Sequence, residues 1–195
     1  MSTVKHQASF KVHQSAEVLF PLFSAEGETH WVPGWDYENV MGGTDLHEDY
    51  VFLTAGHHRS NQHEAGHDVH GHDQHGHHAK SAHHGSGHDA HGHHSPEEHA
   101  VPKTIWLVKR HEPENYLVQF YRVEPEDKVA IITVQCKPLA EDQTEVEVAY
   151  EYIGISKKGN DFVAHYSAEA HEEFISPWSK LLTHYFDAKS TFLNT

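Results

Sequence analysis

Thr144-Glu145-Val146-Glu147-Val148-Ala149-Tyr150-Glu151-Tyr152-Ile153 alternates in polarity along most of its length. Val146, Val148, Tyr150 and Tyr152 share one side, and Glu145, Glu147 and Glu151 the other, because successive strand side chains point to opposite faces. One dry face and one wet face is the pattern of an antiparallel sheet covered on a single side. The cover follows in the chain. Phe162, Tyr166, Ala170, Phe174, Trp178, Leu181 with Leu182, and Tyr185 step by three or four, which predicts an amphipathic helix of many turns. Pro177 lies off that stripe and is expected to bend the helix after Ser176. No other segment offers as much apolar surface, so this helix is expected to lie across the dry face.

Three further strands precede the alternating one, at 104–109, 116–123 and 129–136, all rich in β-branched and aromatic residues. Turn chemistry at 112–115, 125–127 and 140–142 separates them. Near the N-terminus, 3–13 reads as a strand. Ser15 then caps a helix that Pro21 keeps short or kinked, with Ala16, Leu19, Phe20 and Phe23 at helical spacing. Residues 28–31 read as a second helical turn before a Pro33-Gly34 corner, and 39–41 and 50–55 as two strands around Gly42-Gly43. Strand, short helices, six strands and a long helix define an α+β domain.

Between 57 and 99 the composition changes completely. Sixteen of the 24 histidines lie there, with no Leu, Ile, Phe, Met, Trp or Tyr, so the segment has too little apolar surface to offset the entropy of ordering. It is expected to be a disordered insertion at 56–100 within a single domain spanning 1–195. About 150 residues remain to build one core. The strands on either side, 50–55 and 104–109, are expected to pair, the insertion standing where a tight turn would be. Lengthening such a connection costs only about 2 kcal/mol in closure entropy.

The tract carries metal chemistry. His70, His72, His75, His77, His78, His83, His84, His91, His93 and His94 are candidate ligands, since neutral imidazole binds zinc, nickel and copper and intervening glycines let a chain wrap an ion. The pattern predicts several overlapping sites that buffer Zn, Ni or Cu, with no cofactor required. His63-Glu64-Ala65-Gly66-His67 matches the zinc-protease pattern H-E-x-x-H. Gly66 inside the motif and the lack of a flanking apolar stripe deny it the helix that this chemistry needs, so it reads as a chance match.

The formal net charge of −15 resides mostly outside the tract, which contributes −4. An acidic body repels phosphate backbones and anionic membrane surfaces, so neither nucleic acid nor membrane is an expected partner. Cys136 is the only cysteine, which excludes an internal disulfide and reads as a small buried filler. With no apolar leader or spanning run, a cytoplasmic location is expected.

The opening strand with Ser15-Ala16-Glu17-Val18-Leu19-Phe20-Pro21-Leu22-Phe23, then Gly27-Glu28-Thr29-His30-Trp31-Val32-Pro33-Gly34-Trp35, then Thr104-Ile105-Trp106, and the strand-to-helix ending around Trp178 carry a resemblance. Together they resemble the helix-grip fold of the START-like superfamily, also called SRPBCC, and a small bacterial subgroup within it. The superfamily includes polyketide cyclases and plant ligand-binding proteins. The resemblance covers everything except 56–100. It implies a curved antiparallel sheet of about six or seven strands wrapped on a long C-terminal helix and enclosing an apolar cavity. It implies no one reaction, and no catalytic residue carries over.

In a hollow fold some aromatic residues must line the void. Trp31, Trp35, Trp106, Phe120, Tyr150, Tyr152, Phe174 and Trp178 are the candidates for contact with a small apolar or aromatic ligand. Trp31 and Trp35 also suit a rigid corner anchored by two indoles. Arg122, in an apolar strand, pairs either with an acid group of a ligand or with a glutamate on the wet face. His165, Glu169, Glu172 and Glu173 read as a solvated helix face. The leading expectation is a binding protein without catalysis. A cyclase- or hydratase-type enzyme using Glu28, His30 or Tyr150 is the alternative, as is a metal buffer whose fold only displays the tract.

Overall fold

The computed structural model describes residues 1–43, 46–55 and 102–193. The chain divides into two units, Met1–Gly56 with Val101–Thr195, and His57–Ala100. The ten histidines named as metal ligands, and the match at 63–67, lie outside the described residues.

Seven antiparallel strands form one curved sheet: β1 (Thr3–Val12), β2 (Glu38–Asn39), β3 (Val51–Thr54), β4 (Thr104–Glu112), β5 (Leu117–Glu124), β6 (Lys128–Ala140) and β7 (Gln143–Gly154). Their spatial order is β1-β7-β6-β5-β4-β3-β2. Each strand of β2–β7 pairs with its sequence neighbour, while β1 crosses to the far edge beside β7. The expected pairing of the strands flanking the tract is present, with Thr54 opposite Thr104. Pro138 falls at a register shift near the end of the β6–β7 hairpin, where its missing N–H breaks no continuous ladder.

The dry face is the one the alternation predicts. Val146, Val148, Tyr150 and Tyr152 are buried, together with Ala130, Ile132, Val134 and Cys136 of β6. Burying a Val or Leu this fully contributes about 1.5–3 kcal/mol each. Ser15 caps α1 (Ala16–Leu19) by accepting from the Val18 N–H, and Pro21 turns the next residues, Phe20–Phe23, into a 3-10 turn. A second 3-10 turn spans Gly27–His30. Gly34, Gly42 and Gly43 adopt the left-handed backbone that their corners require.

The C-terminal helix departs from the single run expected. It is divided into α2 (Lys157–His165), α3 (Ala168–Ile175) and α4 (Pro177–Leu193). Tyr166 is extended, and Ser167 starts α3 afresh by capping the Ala170 N–H. At Pro177 the break is a bend, since Ser176 keeps helical dihedrals. The buried stripe is also displaced. His171, Ile175 and Leu182 are enclosed, whereas Phe174 is 45% exposed and Trp178, Leu181 and Tyr185 are only partly covered. The helices lie mainly over the β1–β7 side of the sheet: α2 meets β7, and α3 and α4 meet β1. The aromatic stripe therefore borders the space beside that contact. Among the described residues, no helix is long and apolar enough to cross a membrane.

Candidate ligand site

Register across the sheet brings the functional candidates together. One rung runs Phe52, Trp106, Arg122, Ala130 and Tyr152 on adjacent strands from β3 to β7. The next runs Val108, Phe120, Ile132 and Tyr150. Both point to the dry side. Ala130 leaves room beside Arg122, whose guanidinium lies 5.6 Å from the Trp106 ring and 5.9 Å from that of Tyr152. The two rings offer their π-faces to the cation.

Arg122 is therefore not a wet-face residue paired with a glutamate across strands. It shares its strand face with Val118 and Phe120, and its partner is Glu124, two residues along the same strand. The reason is strand parity: positions 118, 120, 122 and 124 all project inward. Arg122 Nη2 donates to Glu124 Oε1 at 2.7 Å. Glu124 Oε2 accepts from Lys128 at 2.5 Å, Lys128 also meets Asp127 at 3.0 Å, and Asp127 reaches Lys158 at 3.1 Å. Charges alternate along this chain, from Arg122 inside to the exposed Lys158, with three cations against two carboxylates. Arg122 Nε is buried and has no hydrogen-bond partner among the described residues. Burial works against its charge, but Tyr152, Tyr150 and Glu124 more than offset it, so the guanidinium stays ionised.

Glu28 enters from the opposite wall, on the turn Gly27–His30. Glu28 is only partly buried, yet the protein around its carboxyl pushes its pKa up to about 8. It therefore holds its proton at neutral pH and acts as a hydrogen-bond donor. Tyr150 feels both ends of the site. Burial, with Tyr152 and Glu28 against the opposite pull of Arg122, lifts its hydroxyl well above the usual range. His30 points away: it is exposed and stacks on Tyr185 at 6.0 Å.

The eight aromatic candidates divide by position. Trp106, Phe120, Tyr150 and Tyr152 form the wall around Arg122. Phe174 packs edge-on to buried Tyr150 at 5.7 Å while remaining 45% exposed, so it stands at the boundary of the interior. Trp178 lies against Phe174, Phe23 and Trp31. Trp31 and Trp35 anchor the corner: their indole N–H groups donate to the carbonyls of Leu22 and Ala25, each at 2.8 Å. Trp31 is buried, and Trp35 packs edge-on to Trp106 at 5.6 Å. Glu169, Glu172, Glu173 and His165 are exposed on the helices, as expected. No group of three or more His, Cys, Asp or Glu suited to a metal occurs among the described residues.

No family model matches the sequence, and no curated protein matches it either. Solved structures do match in shape. Norcoclaurine synthase from Thalictrum flavum superposes with a TM-score of 0.54 at 11% identity, covering 93% of this chain and 87% of that one. The Zhui aromatase/cyclase from Streptomyces sp. R1128 gives 0.51 at 9% identity, over 94% and 91%. TTHA0849 from Thermus thermophilus gives 0.56 at 13% identity, over 96% and 99%. At these identities the likeness establishes the fold.

Proposed function

From the premise that the chain has the helix-grip fold of the START-like superfamily, we propose that it binds a small, mainly aromatic molecule inside the curve of its sheet. The observation that carries this reading is the placement of Arg122 and Glu28 with Tyr150 in an aromatic interior. A core that only packs gains nothing from a guanidinium and a carboxyl. An apolar recess with a few convergent polar groups suits a ligand that needs orienting. The fold neighbours support this, since the norcoclaurine synthase has been solved with dopamine and hydroxybenzaldehyde. Titrating naphthalene while following tryptophan fluorescence tests it. Saturable one-to-one quenching is the expected result, and a linear response up to the solubility limit counts against a binding recess.

A second reading has its own support. A carboxyl protonated at neutral pH beside a tyrosine is equipped as a general acid, which favours a cyclase- or hydratase-type reaction. Glu28 and Tyr150 are its residues, and exposed His30 drops out. Catalysis predicts that Glu28→Gln turns over no substrate yet still binds one.

Residues 57–99 are proposed to bind Zn, Ni or Cu through their histidines, on composition alone. Calorimetric titration of Ni²⁺ into the whole chain, and into one lacking 57–99, tests this. Capacity that survives the deletion removes the tract as the site.

A further inference from the structure

The donors of Arg122 point to the class of ligand. Arg122 is the inner end of a chain in which, among the described residues, Arg122 and Lys128 meet Glu124 and Asp127, with Lys158 at its exposed end. Glu124 gives one oxygen to Arg122 and the other to Lys128, and Lys128 also pairs with Asp127. The opposite wall supplies no counter-charge, because Glu28 is protonated there. The guanidinium thus has a buried Nε without a partner among the described residues and lies between two aromatic faces. A guanidinium has five donors in a planar fork, a geometry that matches the two oxygens of a carboxylate. A packing role would leave such donors satisfied within the protein.

We propose that the ligand is an aromatic monocarboxylate whose acid group docks on Arg122, with its ring in the recess bordered by Phe120, Tyr150 and Phe174. The proposal rests on the ligand-binding reading above and adds the sign and position of one charge. Trp106 and Tyr152 keep the guanidinium in place, and the part of the Arg122 side chain that stays accessible, 19%, is the edge left to an anion. Glu28 acts on Tyr150 electrostatically and holds its proton at neutral pH. It suits a polar substituent on the distal part of the ring and does not repel the acid.

The test compares two probes that differ only in charge, naphthalene-2-carboxylate and naphthalene-2-carboxamide, on the full chain at pH 7 with a chelator present. The carboxylate is expected to bind about tenfold tighter, the value of one charge-assisted contact of about 1.4 kcal/mol. In Arg122→Gln the ratio of carboxylate to carboxamide affinity falls to about one. Arg122→Lys, which keeps the charge but not the fork, retains part of the preference and serves if the glutamine variant does not fold. Equal affinities in the unaltered protein overturn this inference but leave the aromatic recess standing. A preference undiminished in both variants also overturns it. Failure of both probes to bind removes the recess and the inference together.

Discussion

Tyr166 donates its hydroxyl hydrogen to Nδ1 of His171 across 2.9 Å, and the direction follows from the other ring nitrogen. Nε2 stands 3.2 Å from the Val148 carbonyl, which only accepts, so Nε2 carries the proton of the neutral ring. The imidazole thereby joins α3 to β7 and to the residue that ends α2. It is fully buried, and burial lowers its pKa, with the Val148 contact opposing and His6 assisting. A lowered folded pKa means that the unfolded chain takes up this proton first. Stability is intact above about pH 6.5 and falls as pH drops from there toward the folded value. Between about pH 6.5 and 5.5 the urea midpoint of the unaltered protein is expected to fall relative to that of His171→Gln, whose Glu28 contribution is the same. The substitution itself costs about 1–3 kcal/mol at pH 7.5. Parallel profiles in the two proteins would clear His171 of the effect.

Glu28 works in the opposite direction. Its folded pKa of about 8 lies above the ordinary carboxyl value of 4.5, so the unfolded chain ionises first as pH rises. Its contribution is complete below about pH 4.5 and is lost progressively up to about pH 8. His171 is silent above about pH 6.5, which leaves a clean window between 6.5 and 8. Across that window the unaltered protein is expected to lose stability and Glu28→Gln to hold level, read by thermal melts at half-unit steps. A level profile in both would mean that the carboxyl is solvated.

Gly159 sits where α2 meets the turn before β6. A Cβ built there falls 1.8 Å from the Asp127 carbonyl oxygen, inside any tolerable contact and against backbone that cannot swing aside. Gly159→Ala is expected to cost about 3 kcal/mol and to loosen the Lys158–Asp127 end of the charge chain. Gly34→Ala is the contrast, since it meets nothing within 4 Å and has only its φ of +71° to strain it. Its cost should stay near 1 kcal/mol. Chemical denaturation of the two variants side by side separates steric from conformational cost.

The sheet is legible in the sequence because period-two alternation is a strong signal, and β7 states it almost without interruption. The helices are less legible, for a physical reason. Choosing the largest apolar residues selects Phe174, Trp178 and Tyr185, which border the interior, and passes over His171, because histidine is seldom a core residue. The break at Tyr166 has a signal in Ser167-Ala168-Glu169, a cap followed by an acidic first turn, but the aromatic stripe runs straight across it. Arg122 is recoverable by counting in twos from Phe120. Glu28 stands out in the sequence only for its place near the aromatic corner. Its burial depends on the turn Gly27–His30 folding against a distant wall, which no local pattern reveals.

The proposed metal binding by the tract has a pH signature of its own. Imidazole must be neutral to bind an ion, so Ni²⁺ capacity is expected to collapse between about pH 7.5 and 5.5. Protonating all 24 histidines also carries the formal charge from −15 to about +9, so solubility should pass through a minimum on the way. Turbidity against pH, with and without chelator, distinguishes the two effects. Only the bulk-charge minimum survives chelation.

Thr54 and Thr104 face each other as Cα partners, so β3 and β4 end in register at the point where the long connection leaves and returns. That geometry is one a two-residue turn can close, and Asn-Gly supplies the left-handed dihedrals such a turn needs. Replacing 55–103 with Asn-Gly removes the closure entropy of a long connection and, among the described contacts, one exposed ion pair between Lys103 and Glu38. An exposed pair of this kind contributes little. The shortened chain is therefore expected to keep its sheet and gain about 2–3 kcal/mol in unfolding free energy. Naphthalene binding should persist unchanged, because no described wall residue of the recess lies in the deleted span. A stability loss on deletion would show instead that the connection packs on the domain, and loss of naphthalene binding that it closes the recess.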